Sequence, residues 1–563
     1  MFRGRRKNKD VHIDPDEIFI DSQNLPDFDT FQFEGRMEKP IPVATMIVLA
    51  SVFGVLMIVL AGKAWALQIK DGEQYAKMSE SNMARQTIVF AERGAIYDRN
   101  GLRLAWNAVN EEEPDFASRR YIDQEGFAHV LGYLKYPAKD RQGYYYRTSY
   151  EGMAGIEQQF NSELQGTHGL KILGVDALGR VDAESTIRPA KDGANLTLSI
   201  DAVVEAQLYK SIEALAGKVG FTGGAGAIMD VHTGEVIAIT SYPEYKSSVM
   251  TEGDDSREIS RYLSDSTKPF LNRFLSGLYT PGSIVKPFVA LAALEEDVID
   301  PNKVIVSTGS ISIPHPYDYT RKTLFMDWKA HGPVTMRDAI AVSSNVYFYV
   351  IGGGFEGQKG LGIDRLNQYF SLFGIGQKNV ETGFFKGPNG VVPSPSWKER
   401  VFPGDPWRIG DTYFTSIGQY GFQVTPLQML KAVASIANDG LMIEPTILKT
   451  STTSAPVVTT TVPVDQNNLQ IIREGMRKTA ISGTASGLNL PYVKAAAKTG
   501  TAELGVTKAF VNSWVTGFFP YENPKYAFVV IMERGPRANI YGSTLVMREL
   551  FEWMHKTDSP YLK

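Results

Sequence analysis

Thr280-Pro281-Gly282-Ser283-Ile284-Val285-Lys286-Pro287 places a serine three residues before a lysine, at a point where a helix should begin. Pro281-Gly282 interrupts the preceding chain, and the apolar run after Pro287 predicts a buried helix that starts at Ser283. Residues three apart share one helical face, and the exposed N–H groups of a first turn favour negative charge. The stretch therefore predicts a nucleophilic serine with the Lys286 amine beside it as its base.

Lys286 can accept the serine proton only if its amine is neutral for part of the reaction. Burial, a nearby cation and the helix N-terminus each lower the pKa of an amine, and Lys498 is the candidate cation. Lys498 begins the string Lys498-Thr499-Gly500-Thr501, which follows three alanines. Small residues and a glycine are typical of a strand edge along which an extended peptide can lie. We therefore expect this string to bind substrate as an added strand.

A third string, Ser343-Ser344-Asn345, stands between the other two. Taken singly, none is specific, because Lys-Thr-Gly is usually a turn and Ser-Ser-Asn is usually a helix cap or a loop. Their common order makes coincidence a poor explanation. Together the three strings predict a serine acyl-transfer site.

The strings and the text around them resemble the class B penicillin-binding proteins, which carry S-x-x-K, S-x-N and K-T-G motifs. Within that class the chain is most similar to the penicillin-binding protein 2 group, the peptidoglycan D,D-transpeptidases of cell elongation. The resemblance runs from about Trp65 to Glu552. The matching segments outside the three strings are Arg93 to Gly101, Gly155 to Glu157, Asp230 to Ala238, Leu271 to Arg273, Asp327-Trp328, His331-Gly332, Trp407 to Asp411 and Val424 to Gln428.

The resemblance implies the catalytic roles. Ser283 attacks the carbonyl between the last two D-alanines of a stem peptide, and Lys286 takes its proton. Ser343 relays a proton to the departing D-alanine, while Asn345 holds Lys286 and the substrate backbone. The acyl-enzyme then passes to an amine on a neighbouring strand.

The resemblance also implies how substrate is bound. Lys498 and Thr499 bind the terminal carboxylate, and Gly500 and Thr501 complete the substrate-binding string. The backbone N–H groups of Ser283 and Thr501 form the oxyanion hole.

Two short segments depart from the family pattern. The family usually reads I-G-Q-G, whereas here Ile417-Gly418-Gln419 is followed by Tyr420 and then Gly421. The family usually has an Asp and an Asn after its Pro-x-aromatic string, but Pro243-Glu244-Tyr245 runs into Lys246-Ser247-Ser248. We expect the second departure to alter a surface rather than the chemistry.

Strand-like runs at both ends of the C-terminal region predict its fold. Ala225 to Met229 and Val236 to Thr240 form one predicted hairpin, and Val511 to Phe519 with Tyr526 to Met532 form another. Helical segments lie between the pairs, and a last helix is predicted over Leu545 to His555. This order predicts an α+β domain with an antiparallel sheet flanked by helices. The resemblance implies the penicillin-recognising transpeptidase fold, preceded by an extended pedestal.

We predict four segments: a cytoplasmic tail (1–40), a transmembrane anchor (41–62), a pedestal or dimerisation-type domain (63–195) and a transpeptidase (penicillin-binding) domain (196–563). The anchor carries no charge, and as a helix it is about 33 Å long, enough for the hydrocarbon core. A cleaved signal peptide is the alternative, because Ala64-Trp65-Ala66 is similar to a cleavage site, but the apolar run is too long for an h-region.

Basic residues between Arg3 and Lys9 favour a cytoplasmic N-terminus, with further basic residues at the edge of the anchor. Together with the resemblance, this predicts a single-pass protein of the inner (plasma) membrane. Its catalytic domain would lie on the periplasmic or extracytoplasmic side.

Composition excludes several classes of function. The net charge of -4 gives no electrostatic case for binding nucleic acid. The absence of cysteine excludes thiol catalysis, disulfides and Cys-bound metals. The histidines are scattered without an H-E-x-x-H pair, so no metal site or cofactor is predicted.

Four alternatives share some of these features. A division-specific transpeptidase of the same class would use the same chemistry. A membrane-anchored β-lactam sensor would need a cytoplasmic effector domain, for which 40 residues are too few. A secreted-type β-lactamase needs a water-activating base and has no use for a pedestal. An inactive scaffold would not need the site residues, all of which are present.

The resemblance implies the partners as well. The substrates are peptidoglycan stem peptides, and β-lactam antibiotics are the expected inhibitors. A polytopic glycosyltransferase of the shape, elongation, division and sporulation (SEDS) type and other elongation-complex proteins are the expected protein partners, contacted through the anchor and the pedestal.

Overall fold

The computed structural model describes residues 42–73, 75, 84–175, 181–315, 318–377, 383–450, 456–505 and 507–562. The predicted tail, 1–40, lies outside the described residues. The chain divides into two units: one consists of residues up to Arg85 with Gly174–Ala183, and the other of Gln86–Leu173 with Glu184–Lys563.

The first unit contains the predicted anchor. An α-helix runs over Val43–Trp65 and continues as a π-helical turn over Ala66–Lys70. Among the described residues, this is one helix that is long and apolar enough to cross a membrane. It extends past the predicted end at Gly62 because residues 63–70 contain no proline or glycine to stop it.

The N-terminal part of the second unit is built of short strands, as the irregular sequence of the pedestal indicates. One sheet has four strands and is completed by Leu196–Thr197. The strands of this part are Ile96–Tyr97, Arg103–Ala108, Ser118–Tyr121, Leu134–Lys135, Ala138–Lys139, Tyr145–Arg147 and Glu151–Gly152, and the helices are Ala128–Leu131, Gly155–Gln159 and Asn161–Gln165. Three other strands, Ala84–Val89, Gly169–Val175 and Val181–Arg188, each contain residues assigned to both units.

A buried ion cluster lies inside this region. The Glu157 carboxylate accepts from Arg93 Nε at 2.6 Å and from Arg119 Nε at 2.7 Å, and all three side chains are fully buried. Asn107 joins the cluster by accepting from Arg119 Nη1 and donating to the Arg93 carbonyl. Burying two cations is tolerated here because one carboxylate serves both.

The C-terminal part of the second unit contains a five-stranded antiparallel sheet, the central sheet. Its strands lie in the order Val236–Tyr242, Gly223–Asp230, Tyr526–Pro536, Phe510–Phe519, Ala496–Leu504. Both predicted hairpins are present, and they join where Gly223–Asp230 pairs with Tyr526–Pro536. Ala496–Leu504, the K-T-G strand, lies at the edge of the sheet as predicted.

Helices cover both faces of the central sheet. Successive side chains of a strand point to opposite faces, and here both sets of side chains are apolar. Ala225, Ala227 and Met229 belong to the same core as the helix Pro426–Ala437. Ile228 points the other way and packs in a second core with the helices Ala202–Val219 and Ser543–Lys556. The α+β architecture inferred from the sequence is therefore confirmed.

The remaining elements of this part are helices, 3₁₀ turns and small strands outside the central sheet. The helices are Ser247–Glu252, Ser256–Ser264, Arg273–Ser276, Lys286–Glu295, Met336–Val342, Asn345–Gly353, Gly362–Leu372, Pro395–Val401, Ile409–Ser416 and Gln466–Ser482, with 3₁₀ turns at Gly282–Val285, Ser486–Leu488 and Pro560–Leu562. The small strands are Ile305–Ser307, Ser310–His315, Asp318–Met326, Gly332–Val334, Leu441–Ile443, Val458–Thr461, Asn489–Leu490 and Val493–Lys494.

Candidate active site

Ser283 lies in a 3₁₀ turn, Gly282–Val285, that leads directly into the helix Lys286–Glu295. Backbone contacts fix this turn from two sides. Gly282 has a φ of +58°, and its N–H donates to the Gly418 carbonyl at 2.9 Å. A Cβ at Gly418 would lie 2.2 Å from the Gly282 carbonyl oxygen, so this position requires glycine.

The K-T-G strand also packs against this turn. A Cβ at Gly500 would lie 2.8 Å from the Pro281 carbonyl oxygen and 2.9 Å from Ile284. The glycine of the third string therefore lets the nucleophile segment pack directly on the edge strand. A Cβ at Gly282 would lie 3.0 Å from the Thr501 carbonyl oxygen, so the first and third strings pack together here.

The Lys286 amine joins the first string to the second. It is fully buried and donates to the Ser343 carbonyl at 2.8 Å, to Asn345 Oδ1 at 2.8 Å and to Ser343 Oγ at 3.3 Å. Its Nζ also lies 5.3 Å from the centre of the Phe348 ring. Burial lowers the pKa of Lys286 to about 7, while the nearby Asp327 carboxylate opposes this shift.

The direction of this amine differs from the geometry expected from spacing alone. Among the residues that the structure describes, no hydrogen bond joins Lys286 to Ser283. In its charged form the amine has three N–H groups, and oxygens of the second string accept hydrogen bonds from it. Lys286 therefore contacts the second string, while its place one turn after Ser283 keeps the two residues on the same segment.

The second string forms the junction between two helices. The helix Met336–Val342 ends at Ser343, which has a φ of +59°, and Ser344 caps the next helix by accepting from the Tyr347 N–H. A left-handed backbone is uncommon for residues other than glycine and is often found at functional sites. This sharp junction turns both Ser343 and Asn345 toward the lysine.

The third string carries a second buried amine. Lys498 is fully buried, and its Nζ donates to the Thr499 carbonyl at 2.9 Å. Burial and then the nearby Lys286 amine hold the pKa of Lys498 well below its ordinary value. The effect predicted from the sequence, that Lys498 lowers the pKa of Lys286, stays a prediction, because burial is the cause that lowers the pKa of Lys286.

Two residues near the site were not recognised as functional from the sequence. Thr484 Oγ1 lies 2.5 Å from Thr499 Oγ1, and the Thr484 N–H donates to the carbonyl of Ala341, two residues before Ser343. Asp327 accepts from Ser344 Oγ, within the second string, and from the N–H of Val346, which follows it. No short motif identifies Thr484, and Asp327 appeared only as text flanking the second string.

Tyr420, the departure from the I-G-Q-G pattern, has a φ of +66°. This is the backbone region that glycine favours, which accounts for the usual residue there. The tyrosine ring packs edge-on against Trp397 and Trp407, with centroids 5.7 and 5.9 Å away, and the Lys398 amine lies 5.7 Å from it. Aromatic packing therefore accommodates a side chain where the family usually has none.

Comparison with known proteins places this site in a family. Residues 224–552 match the model of the penicillin binding protein transpeptidase domain, and residues 115–198 match that of the penicillin-binding protein dimerisation domain. The peptidoglycan D,D-transpeptidase MrdA of Haemophilus influenzae is 30% identical, over 75% of this chain and 67% of its own length. The protein of the same name from Escherichia coli K12 is 27% identical, over 91% of this chain and 95% of its own length.

Solved structures of penicillin-binding proteins are similar to this chain as well. The crystal structure of Pseudomonas aeruginosa PBP2 in complex with WCK 5153 has a TM-score of 0.68 and 29% identity, and covers 84% of this chain and 97% of that one. The complex between PBP2 and MreC from Helicobacter pylori gives a TM-score of 0.68 and 27% identity, covering 84% of this chain and 99% of that one.

Since the transpeptidase model spans more than half of its length, the chain belongs to the penicillin-binding proteins of the transpeptidase family. Its activity is that of a serine-type D-Ala-D-Ala transpeptidase acting in peptidoglycan synthesis. The relatives named MrdA support the elongation-specific interpretation of the sequence.

Proposed function

We propose that the reaction proceeds through an acyl-enzyme on Ser283, with the Lys286 amine as general base. The observation that carries this proposal is the environment of the amine. It is fully buried, held by oxygens of the second string, and its pKa lies near 7. A base with a pKa close to the working pH is the most effective at moving a proton.

The chemical steps assign one task to each residue. Ser283 Oγ bonds to the carbonyl carbon of the penultimate D-alanine while Lys286 accepts its proton. The C–N bond to the terminal D-alanine then breaks, and the proton held by Lys286 passes through the Ser343 hydroxyl to the leaving amine. Asn345 keeps Lys286 and the substrate backbone aligned. An acceptor amine next attacks the ester carbonyl, the C–Oγ bond breaks, and the proton that the amine loses passes to Ser283 Oγ.

Substrate binding is proposed to use the edge of the central sheet. The stem peptide would add beside the K-T-G strand as an extended strand, with its carbonyl oxygen between the N–H groups of Ser283 and Thr501. Its carboxylate would lie against Thr499 and Lys498. An arriving carboxylate favours the charged form of an amine, so anion binding would raise the pKa of Lys498 toward its ordinary range.

Intact mass measured after a penicillin is added to the full chain in detergent tests the acyl-enzyme. We expect a stable adduct that is absent from the Ser283→Ala variant. An adduct that forms and clears within seconds would indicate a β-lactamase, and the absence of any adduct in a folded protein would favour the scaffold alternative.

Thr484 provides a further test of the carboxylate position. Replacing Thr484 with valine keeps the shape of the side chain but removes the hydroxyl beside Thr499. We expect the second-order rate constant of acylation by a carboxylate-bearing penicillin to fall about tenfold, the usual effect of losing one hydrogen bond to a charged group. Thr484→Ser should restore most of the rate; equal rates for all three proteins would show that Thr484 does not contact the substrate.

We also propose that residues 41–62 anchor the chain in the inner membrane with the 1–40 tail in the cytoplasm, followed by the predicted 63–195 pedestal and 196–563 catalytic domain. Solved structures of similar proteins include a complex with MreC and a peptidoglycan synthase complex, which support elongation-complex partners. A SEDS-type glycosyltransferase is the partner we infer. Protease digestion of spheroplasts should remove the catalytic domain and spare the tail; the reverse pattern would refute this orientation.

A further inference from the structure

One buried carboxylate, that of Asp327, joins three segments around the second string. Asp327 Oδ2 accepts from Ser344 Oγ at 2.7 Å, from the Val346 N–H at 3.0 Å and from Ser307 Oγ at 3.1 Å. Asp327 Oδ1 accepts from the Trp328 N–H at 2.9 Å. Four donors on one buried carboxylate form a well-satisfied network rather than a surface contact.

The network encloses Asn345. Ser344 precedes Asn345 and Val346 follows it, so Asp327 fixes the chain on both sides of Asn345. Asn345 Oδ1 in turn accepts a hydrogen bond from the Lys286 amine. We call the hydrogen bonds of Asp327 to Ser344 and Val346 the clamp. The left-handed backbone of Ser343 lies next to it. Strained backbone persists only where its surroundings hold it, and Asp327 supplies that support.

The carboxylate also faces the charges of the site. Burial acts to raise the pKa of Asp327, but hydrogen bonds and the nearby Lys286 amine outweigh burial and lower it, so the side chain is ionised at neutral pH. Its other titratable neighbours are neutral there, because burial lowers the pKa of His331 and raises that of Tyr349. Asp327 thus presents one negative charge to the Lys286 amine.

We propose that Asp327 is a positioning residue of the transpeptidation reaction: its carboxylate clamps the Ser343–Asn345 junction and, through it, the Lys286 amine. This inference rests on the proposed function, because it assumes that Lys286 is the base. Asp327 does not contact the reacting atoms in this scheme. It acts by placement and by charge.

Asp327→Asn separates these two effects in the full chain, with penicillin acylation followed by rapid quench between pH 5 and 9. Loosening of the clamp should lower the acylation rate on the high-pH plateau about a hundredfold, the usual cost of misplacing a catalytic group by about 1 Å. Loss of the negative charge removes a stabiliser of the Lys286 ammonium, so the midpoint of the acidic limb should move to lower pH. A purely structural role would lower the whole profile without moving its midpoint.

Three further variants keep the test decisive. Asp327→Glu retains the charge but not the geometry, so its rate should fall while its midpoint stays in place. Ser307→Ala, which removes one donor, should do the same to a smaller extent, and it can be measured even if Asp327→Asn does not fold. Asp338→Asn is the matched control: this aspartate caps the helix that leads to Ser343 and pairs with Lys478, outside the clamp. It should leave both rate and midpoint unchanged.

The outcomes distinguish this proposal from the proposed function. If a Lys286 variant acylates normally, the assignment of the base fails and Asp327 loses its role with it. If that variant is inactive while Asp327→Asn and Ser307→Ala keep the wild-type rate and midpoint, only the clamp is overturned.

Discussion

Replacing Lys286 with methionine should lower the rate of Ser283 acylation by about three to four orders of magnitude, because it removes the general base and leaves the nucleophile in place. Methionine fills a similar volume without an amine, so the buried site stays occupied. In the unchanged protein the neutral amine is the active form. The acylation rate should therefore rise with pH, about tenfold per unit below the Lys286 pKa of about 7, and reach a plateau above it.

Rapid-quench kinetics with a penicillin and a thermal melt of each protein check this expectation. Lys303→Met is the matched control, since Lys303 is exposed and its amine donates only to Gln358 Oε1 in the described structure. Its acylation rate should stay within twofold. A folded Lys286→Met protein that acylates at more than a tenth of the wild-type rate would exclude Lys286 as the base.

Glu157→Gln should destabilise the pedestal by about 3–5 kcal/mol, because it removes the one carboxylate that pairs with two buried arginines. Arg93 and Arg119 would then be buried cations without a counter-charge. Hydrogen–deuterium exchange should show faster opening of the strands Arg103–Ala108 and Ser118–Tyr121. Penicillin should still acylate Ser283, because the ion cluster lies outside the active site.

Glu151→Gln provides the comparison. Glu151 lies 3.7 Å from Arg147 and is 59% exposed, so its loss should change stability by no more than about 0.5 kcal/mol. Equal exchange rates in the Glu157 and Glu151 variants would mean that the buried cluster contributes little to the stability of the pedestal.

The sequence predicted those parts of the fold and site that depend on local patterns. Strand-like runs at Ala225 to Met229 and Tyr526 to Met532, with helical segments between them, indicated a sheet flanked by helices. The three alanines before Lys498 indicated a strand that tolerates close neighbours. The direction of the Lys286 amine was not predictable in the same way. It depends on how the junction at Ser343 packs against the nucleophile helix, which spacing within one helix does not reveal.

Asp327 illustrates the same limit. Its donors are Ser307, Trp328, Ser344 and Val346, of which only Trp328 is adjacent in sequence. An isolated Asp-Trp pair carries no signal for such a network. Tyr420 differs, because its departure from the family pattern was visible in the sequence, while the two tryptophans that accommodate it became evident only in three dimensions.

The close contacts beneath Ser283 restrict how this protein can become resistant to β-lactams. Gly418 against Gly282, and Gly500 against Pro281, are contacts of backbone with backbone, and any side chain at Gly418 or Gly500 would displace the nucleophile itself. We therefore expect no substitution at Gly418 or Gly500 to exclude a drug and still preserve cell-wall synthesis. Position 420 differs, because there the fold already accepts a bulky residue.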